Sequence, residues 1–115
     1  MPLLKVETTV VLTEDARQAL LASLSKIVAE AIGKPQQYVM VTANQVAMQM
    51  SGSPGDAAFV DVRSIGGLTV DVSRKLSQRI CKLLQDALGV PQKRIYLNFT
   101  EIESSNWGWN GSTFG

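Results

Sequence analysis

Thr13–Gln36 reads TEDARQALLASLSKIVAEAIGKPQ, and Thr69–Gln92, 56 positions further on, reads TVDVSRKLSQRICKLLQDALGVPQ. Laid over one another, the two segments match in their apolar positions: Leu20, Leu24, Ile27, Val28 and Ala31 against Leu76, Ile80, Leu83, Leu84 and Ala87. Both sets follow i, i+4, i+7, i+8, i+11, which puts five side chains on one stripe of a helix. The starts agree: Thr13 and Thr69 supply a capping hydroxyl, and Asp15 and Asp71 a negative charge in the first turn, where the helix dipole favours it. The stops agree as well. Gly33 and Gly89 can take positive φ, and Pro35 and Pro91 cannot continue a helix. The pattern predicts helices over 14–32 and 70–88 and an internal repeat of one supersecondary unit.

Working outward, alternating segments precede each helix, Leu3–Val10 and Ala58–Ser64, and β-branched and aromatic runs follow, Tyr38–Thr42 and Arg94–Thr100. The order is β-α-β, twice. Parallel strands joined by a right-handed crossover helix give an α+β fold: a four-stranded mixed sheet with both helices on one face. Chain 1–115 then reads as a single domain of two pseudo-repeats, about 1–50 and 57–106, with a C-terminal tail at 107–115. The turn-rich Ser51–Asp56 is a connector between the repeats. With Val39, Val41, Ile95, Leu97 and Phe99 turned to the helices, the opposite face carries Met40, Tyr96 and Asn98. An open face of that kind suggests a closed oligomer or a binding surface.

Composition narrows the chemistry. The chain has 115 residues, 45% of them apolar, with 11 Lys plus Arg against 10 Asp plus Glu, no histidine and one cysteine, Cys81. A net charge of +1 with scattered basic residues argues against affinity built on phosphate neutralisation, so neither nucleic acid nor a membrane surface is expected as partner. The residues provide no usual zinc, haem or iron–sulfur ligand set, no intrachain disulfide and no histidine-based triad; no metal and no cofactor is expected. The N-terminus lacks the basic stretch and apolar run of a secretory signal, and no apolar run approaches a bilayer span. A cytoplasmic location is expected, a reading that leaves unconventional secretion open.

Pro2 is the first unusual residue. Cleavage of Met1 would convert its amide nitrogen into a free secondary amine. A free α-amine titrates at about 7.7 to 8.0, and burial or a nearby cation lowers that value toward the range useful for general-base catalysis. Proline is also common at this position in proteins without such chemistry.

Pro2 together with Gly33-Lys34-Pro35, Gln37-Tyr38, Ser64-Ile65-Gly66, Ile95-Tyr96-Leu97-Asn98 and the tail Asn106-Trp107-Gly108-Trp109-Asn110-Gly111-Ser112-Thr113-Phe114 closely resembles the macrophage migration inhibitory factor family of the tautomerase superfamily. The resemblance runs from Pro2 to Phe114. It implies a homotrimer in which the open sheet faces line a central barrel, with active sites between subunits. It further implies Pro2 as catalytic base, Lys34 as the cation for a substrate carboxylate, and Ile65 as donor of a backbone N–H to the same group. Tyr96 and Asn98 would enter from a neighbouring subunit, and Trp107, Trp109 and Phe114 would wall the pocket.

Each of these positions also has a structural reading. Lys34 past a helix C-terminus suits the dipole, although its repeat counterpart is the uncharged Val90. Gly66-Gly67 reads as a turn, Tyr96 and Asn98 as interface residues on one strand face, and Trp107 and Trp109 as packing anchors. Cys81, matched by Ser25, reads as core filler. Arg74, Lys75, Arg79 and Lys82 form a solvated flank, and Met40, Met48 and Met50 fill interface gaps.

Departures from the family matter too. Ala57 and Val60 stand where animal members carry a Cys-x-x-Cys, so thiol–disulfide activity is not expected. Leu12 and Gln45 replace the charged pair linked to receptor recognition, and Trp107 replaces a smaller aliphatic residue at the pocket mouth. The resemblance implies a keto–enol tautomerase, an isomerase acting on small aromatic α-keto acids such as phenylpyruvate, with dopachrome-type substrates also compatible. The alternative is a cytokine-like interaction or signalling protein with vestigial activity.

Overall fold

The helix caps anticipated from the sequence form in both repeats of the computed structural model, which describes residues 1–115. Helix α1 (Glu14–Ile32) begins where Thr13 Oγ1 accepts the Ala16 N–H at 3.2 Å, and α2 (Val70–Leu88) where Thr69 Oγ1 accepts the Val72 N–H at 3.2 Å. Such a cap contributes about 1 kcal/mol. Gly33 and Gly89 close the helices at φ 76° and 72°, returning their N–H groups to Ala29 and Gln85. Both helices span the residues that the spacing predicts.

The strands differ more. β1 (Pro2–Thr8) stops two residues before Val10, because Thr8 Oγ1 accepts the Val10 N–H at 3.2 Å and takes that donor out of the ladder. β3 (Ala58–Ser64) spans the predicted residues, whereas Tyr38 and Arg94 each close a 3-10 turn, donating to the Pro35 and Pro91 carbonyls at 3.0 and 2.9 Å. β2 (Met40–Gln45) and β4 (Ile95–Glu101) start only after those turns. The tail forms a small hairpin, β5 (Gly108–Trp109) with β6 (Ser112–Thr113), that the absence of helical periodicity alone did not disclose.

The four main strands lie in the order β2-β1-β3-β4, with β1/β2 and β3/β4 parallel and β1/β3 antiparallel. This is the mixed sheet expected from two β-α-β units. Leu4 and Val6 of β1 and Val60 and Val62 of β3 are fully buried in one cluster with Leu24 and Val28 of α1 and Leu76, Ile80 and Leu84 of α2. Cys81 lies in the same cluster, as core filler. Arg79 bridges the two helices by an exposed pair with Glu30 at 2.9 Å.

The other sheet face is set by register. Met40, Leu3, Arg63 and Thr100 form one row across it; Thr42, Lys5, Asp61 and Asn98 the next; Asn44, Glu7, Phe59 and Tyr96 the third. Neither helix covers these rows, and away from the tail they are largely open: Met40 and Tyr96 are 64% and 67% exposed.

Arg94 fastens the two repeats. Its guanidinium donates to the carbonyls of Met50, Ser53, Gly55 and Asp56 at 2.9 to 3.4 Å, spanning the connector with one planar group. Lysine cannot reproduce that fork. Arg94→Lys is therefore expected to lower stability by about 2 kcal/mol in urea denaturation, and to make Ser51–Asp56 the first site of limited proteolysis.

Candidate active site

The first strand begins at the edge of a cavity. Pro2 opens β1 opposite Ser64, with its ring fully buried on the helix side of the sheet, and Met1 is half-buried before it. The cavity measures about 530 Å³, and Pro2, Leu3, Met40, Arg63, Trp107 and Phe114 are among the residues that line it. Most of its lining is apolar, which favours a ligand with an aromatic or aliphatic body.

The aromatic wall comes from the tail hairpin. Asn110 and Gly111 take φ 51° and 78°, the pair of left-handed residues that a tight hairpin with right-handed twist needs. The turn lays Trp109 over Phe114, ring centroids 5.7 Å apart and 15° from parallel. The Phe114 N–H donates to the Trp107 carbonyl at 3.1 Å, fixing the third aromatic beside them.

Lys34 is delivered by the end of α1. Its own N–H and that of Gly33 both donate to the Ala29 carbonyl, at 3.1 and 2.9 Å, so the left-handed stop sets where the side chain leaves the helix. The α-amine of Met1, one residue before β1, is held below its ordinary value, first by burial and second by the positive charge of Lys34. The repeat counterpart of Lys34, Val90, is fully buried in the core. A charge at this point is thus no requirement of the fold.

The turn after β3 completes the surroundings. Gly66 and Gly67 adopt φ 72° and 82°, and a Cβ on Gly67 would lie 2.8 Å from Ile32 Cγ2, so this turn packs directly on the last residue of α1. The Leu68 N–H is taken by Glu101 Oε1 at 3.1 Å and the Ile102 N–H by the Ser64 carbonyl at 2.9 Å, while the Ile65 N–H has no partner within the chain. Three or more metal-ligating side chains do not converge here or elsewhere, and no helix is long and apolar enough to cross a membrane.

Of the residues singled out in the sequence, Pro2, Trp107, Trp109 and Phe114 line one cavity, with Lys34 acting on the amine beside it and Ile65 in the turn beyond Ser64. Tyr96 and Asn98 lie elsewhere, on the open face of β4, two strands from β1. Sequence reading missed Leu3, Arg63, Ile102 and Asn106 as lining residues, and Met40, read there as an interface filler, lines the cavity as well. Leu3, Met40 and Arg63 share one row of the sheet, which needs the strand register to be seen. The hairpin had a legible signal, the dipeptide Asn110-Gly111.

The whole chain, residues 1–115, matches the family profile "Macrophage migration inhibitory factor (MIF)". A macrophage migration inhibitory factor homolog from Brugia malayi is 36% identical over 116 residues, covering 100% of both chains. Among solved structures, a macrophage migration inhibitory factor-like protein from Entamoeba histolytica superposes with a TM-score of 0.94 at 35% identity, covering 98% of each chain. A homologue from Prochlorococcus marinus gives 0.93 at 38% identity, covering 98% of this chain and 99% of its own. With the doubled β-α-β unit, Pro2 at a cavity edge and the aromatic tail hairpin, these likenesses place the chain in the macrophage migration inhibitory factor family.

Proposed function

We propose that the protein is a keto–enol tautomerase of small aromatic α-keto acids, with phenylpyruvate as the test substrate and Pro2, freed by removal of Met1, as the general base. The observation that carries this reading is the place of Pro2 at the edge of an apolar cavity, where the amine of the preceding residue, Met1, has its protonated form disfavoured by burial and by Lys34; removal of Met1 would put the Pro2 amine one residue further along the chain. An amine whose neutral form is favoured beside an aromatic wall suits removal of a proton from a carbon next to a carbonyl.

The substrate ring packs against Trp107, Trp109 and Phe114, and its carboxylate pairs with Lys34 and the Ile65 N–H. The Pro2 nitrogen takes a proton from the methylene beside the ketone. The C–H electron pair becomes the new C=C bond, the carbonyl π pair moves to oxygen, and that oxygen receives the proton back to give the enol. Water excluded by the apolar walls keeps the amine in its neutral form.

In this reading the domain 1–115 works as a homotrimer whose open sheet faces line a central barrel. The uncovered rows of the sheet support it, and so does the position of Tyr96 and Asn98 away from the cavity of their own chain, free to reach that of a neighbour.

Pro2→Gly is expected to remove most phenylpyruvate turnover while the oligomer persists in sedimentation; unchanged turnover would remove Pro2 from the role. Intact mass supplies a companion check, because a preparation that retains Met1 has an acylated Pro2 nitrogen and should be nearly inactive.

The pH profile tests the electrostatics. A base works unprotonated, so kcat/KM should rise with pH and reach half its plateau below the usual α-amine range of about 7.7 to 8.0. Deleting the cation in Lys34→Gln makes protonation easier, so the limb moves to higher pH, and KM rises roughly tenfold with the loss of the carboxylate contact. A limb that stays in place would show that Lys34 does not act on the base.

A further inference from the structure

The 56-residue repeat relates Thr8 to Ser64 and Thr9 to Ile65, and through the antiparallel β1/β3 pairing it sets Ala57 in the place that Met1 holds in the other half. In the first of these two corners, Thr8 and Thr9 converge on one oxygen. Thr8 Oγ1 donates to the Ala57 carbonyl at 3.0 Å, and the Thr9 N–H donates to the same atom at 3.2 Å. In the second corner the counterpart donors are idle. Ser64 is fully buried and its Oγ has no hydrogen-bond partner, and the Ile65 N–H has none within the chain. Burying an unpaired hydroxyl costs stability, and such a group calls for an explanation.

We propose that the Ser64 hydroxyl and the Ile65 N–H form a two-donor cradle for one carboxylate oxygen of the substrate, in the place that the Ala57 carbonyl fills in the other corner. The inference rests on the reading of Pro2 as the free N-terminus: once Met1 is removed, no carbonyl precedes Pro2, and that place belongs to the ligand. The flanking residues agree. A neutral carbonyl needs no counter-charge, and the corner that holds Ala57 has the buried Val90 where the other has Lys34. An anionic oxygen needs one. Lys34 and the Ile65 N–H were already expected to meet the carboxylate; Ser64 is the added residue, and it supplies the hydroxyl donor that Thr8 supplies in its own corner.

The test uses the full-length chain beginning at Pro2 and, as probe, 3-phenylpropanoate, an aryl acid that has the carboxylate but no ketone to enolise. In Ser64→Ala its affinity by calorimetry should fall roughly tenfold, as for a lost hydrogen bond to a charged group, with KM for phenylpyruvate rising by the same factor. The midpoint of the pH–rate limb should not move. Thermal stability should hold or increase, since a methyl replaces an unpaired hydroxyl, whereas Thr8→Ala should lower stability and leave the affinity unchanged. Ser64→Thr, which installs the residue used in the other corner, should retain the affinity.

Wild-type affinity in Ser64→Ala overturns the cradle and leaves Pro2 in its role. A wild-type chain with no affinity for 3-phenylpropanoate overturns it too. A wild-type chain that binds the probe through Ser64 yet does not turn over phenylpyruvate upholds the cradle and overturns the tautomerase reading instead.

Discussion

The antiparallel pairing of β1 with β3 joins the two repeats, and the rest of the molecule is arranged around it. Pro2 to Thr8 face Ser64 to Ala58 in an unbroken ladder, and Leu4, Val6, Val60 and Val62 on its inner side are sealed by both helices. A slip of one residue would turn those four side chains outward and Lys5, Asp61 and Arg63 into the core, a cost that the apolar cluster makes prohibitive. The same register sets Pro2 opposite Ser64. The position of the chain's first residues is therefore determined by hydrophobic packing at the centre of the sheet, well inside the fold from the cavity itself.

A duplicated unit builds two equivalent corners, and the proposed function draws on the one where the duplication is broken. One corner has Val90 in the core and an internal carbonyl held by Thr8 and Thr9; the other has Lys34 near an amine, an idle hydroxyl and an idle N–H. The first set of residues is satisfied and stabilising. The second is left with unmet hydrogen-bonding capacity and a cation next to a site of protonation, features that lower stability and that the proposed substrate carboxylate would satisfy.

Much of this was legible in the amino-acid order. Helix ends were readable because their determinants are local: Thr13 and Thr69 bond within one turn, and Gly33 and Gly89 answer a backbone requirement at a single residue. Strand ends were less so. Tyr38 and Arg94 have strand-forming side chains, yet the 3-10 turns set by Pro35 and Pro91 claim their N–H groups. Arg94 was indistinguishable from any other arginine by its neighbours in sequence, since the carbonyls it gathers lie 38 to 44 residues away.

By itself the sequence determined the doubled β-α-β unit, the extents of both helices, the face each helix buries and the residues with chemical potential, because spacing, caps and breakers act within a few residues. Only the tertiary structure decided which of them meet. It brought Pro2 to the aromatic hairpin, added Leu3, Met40 and Arg63 to the cavity through one row of the sheet, and left Tyr96 and Asn98 outside it. Those outcomes depend on strand order and register, which arise from burying one common core and are carried by no single segment of the chain.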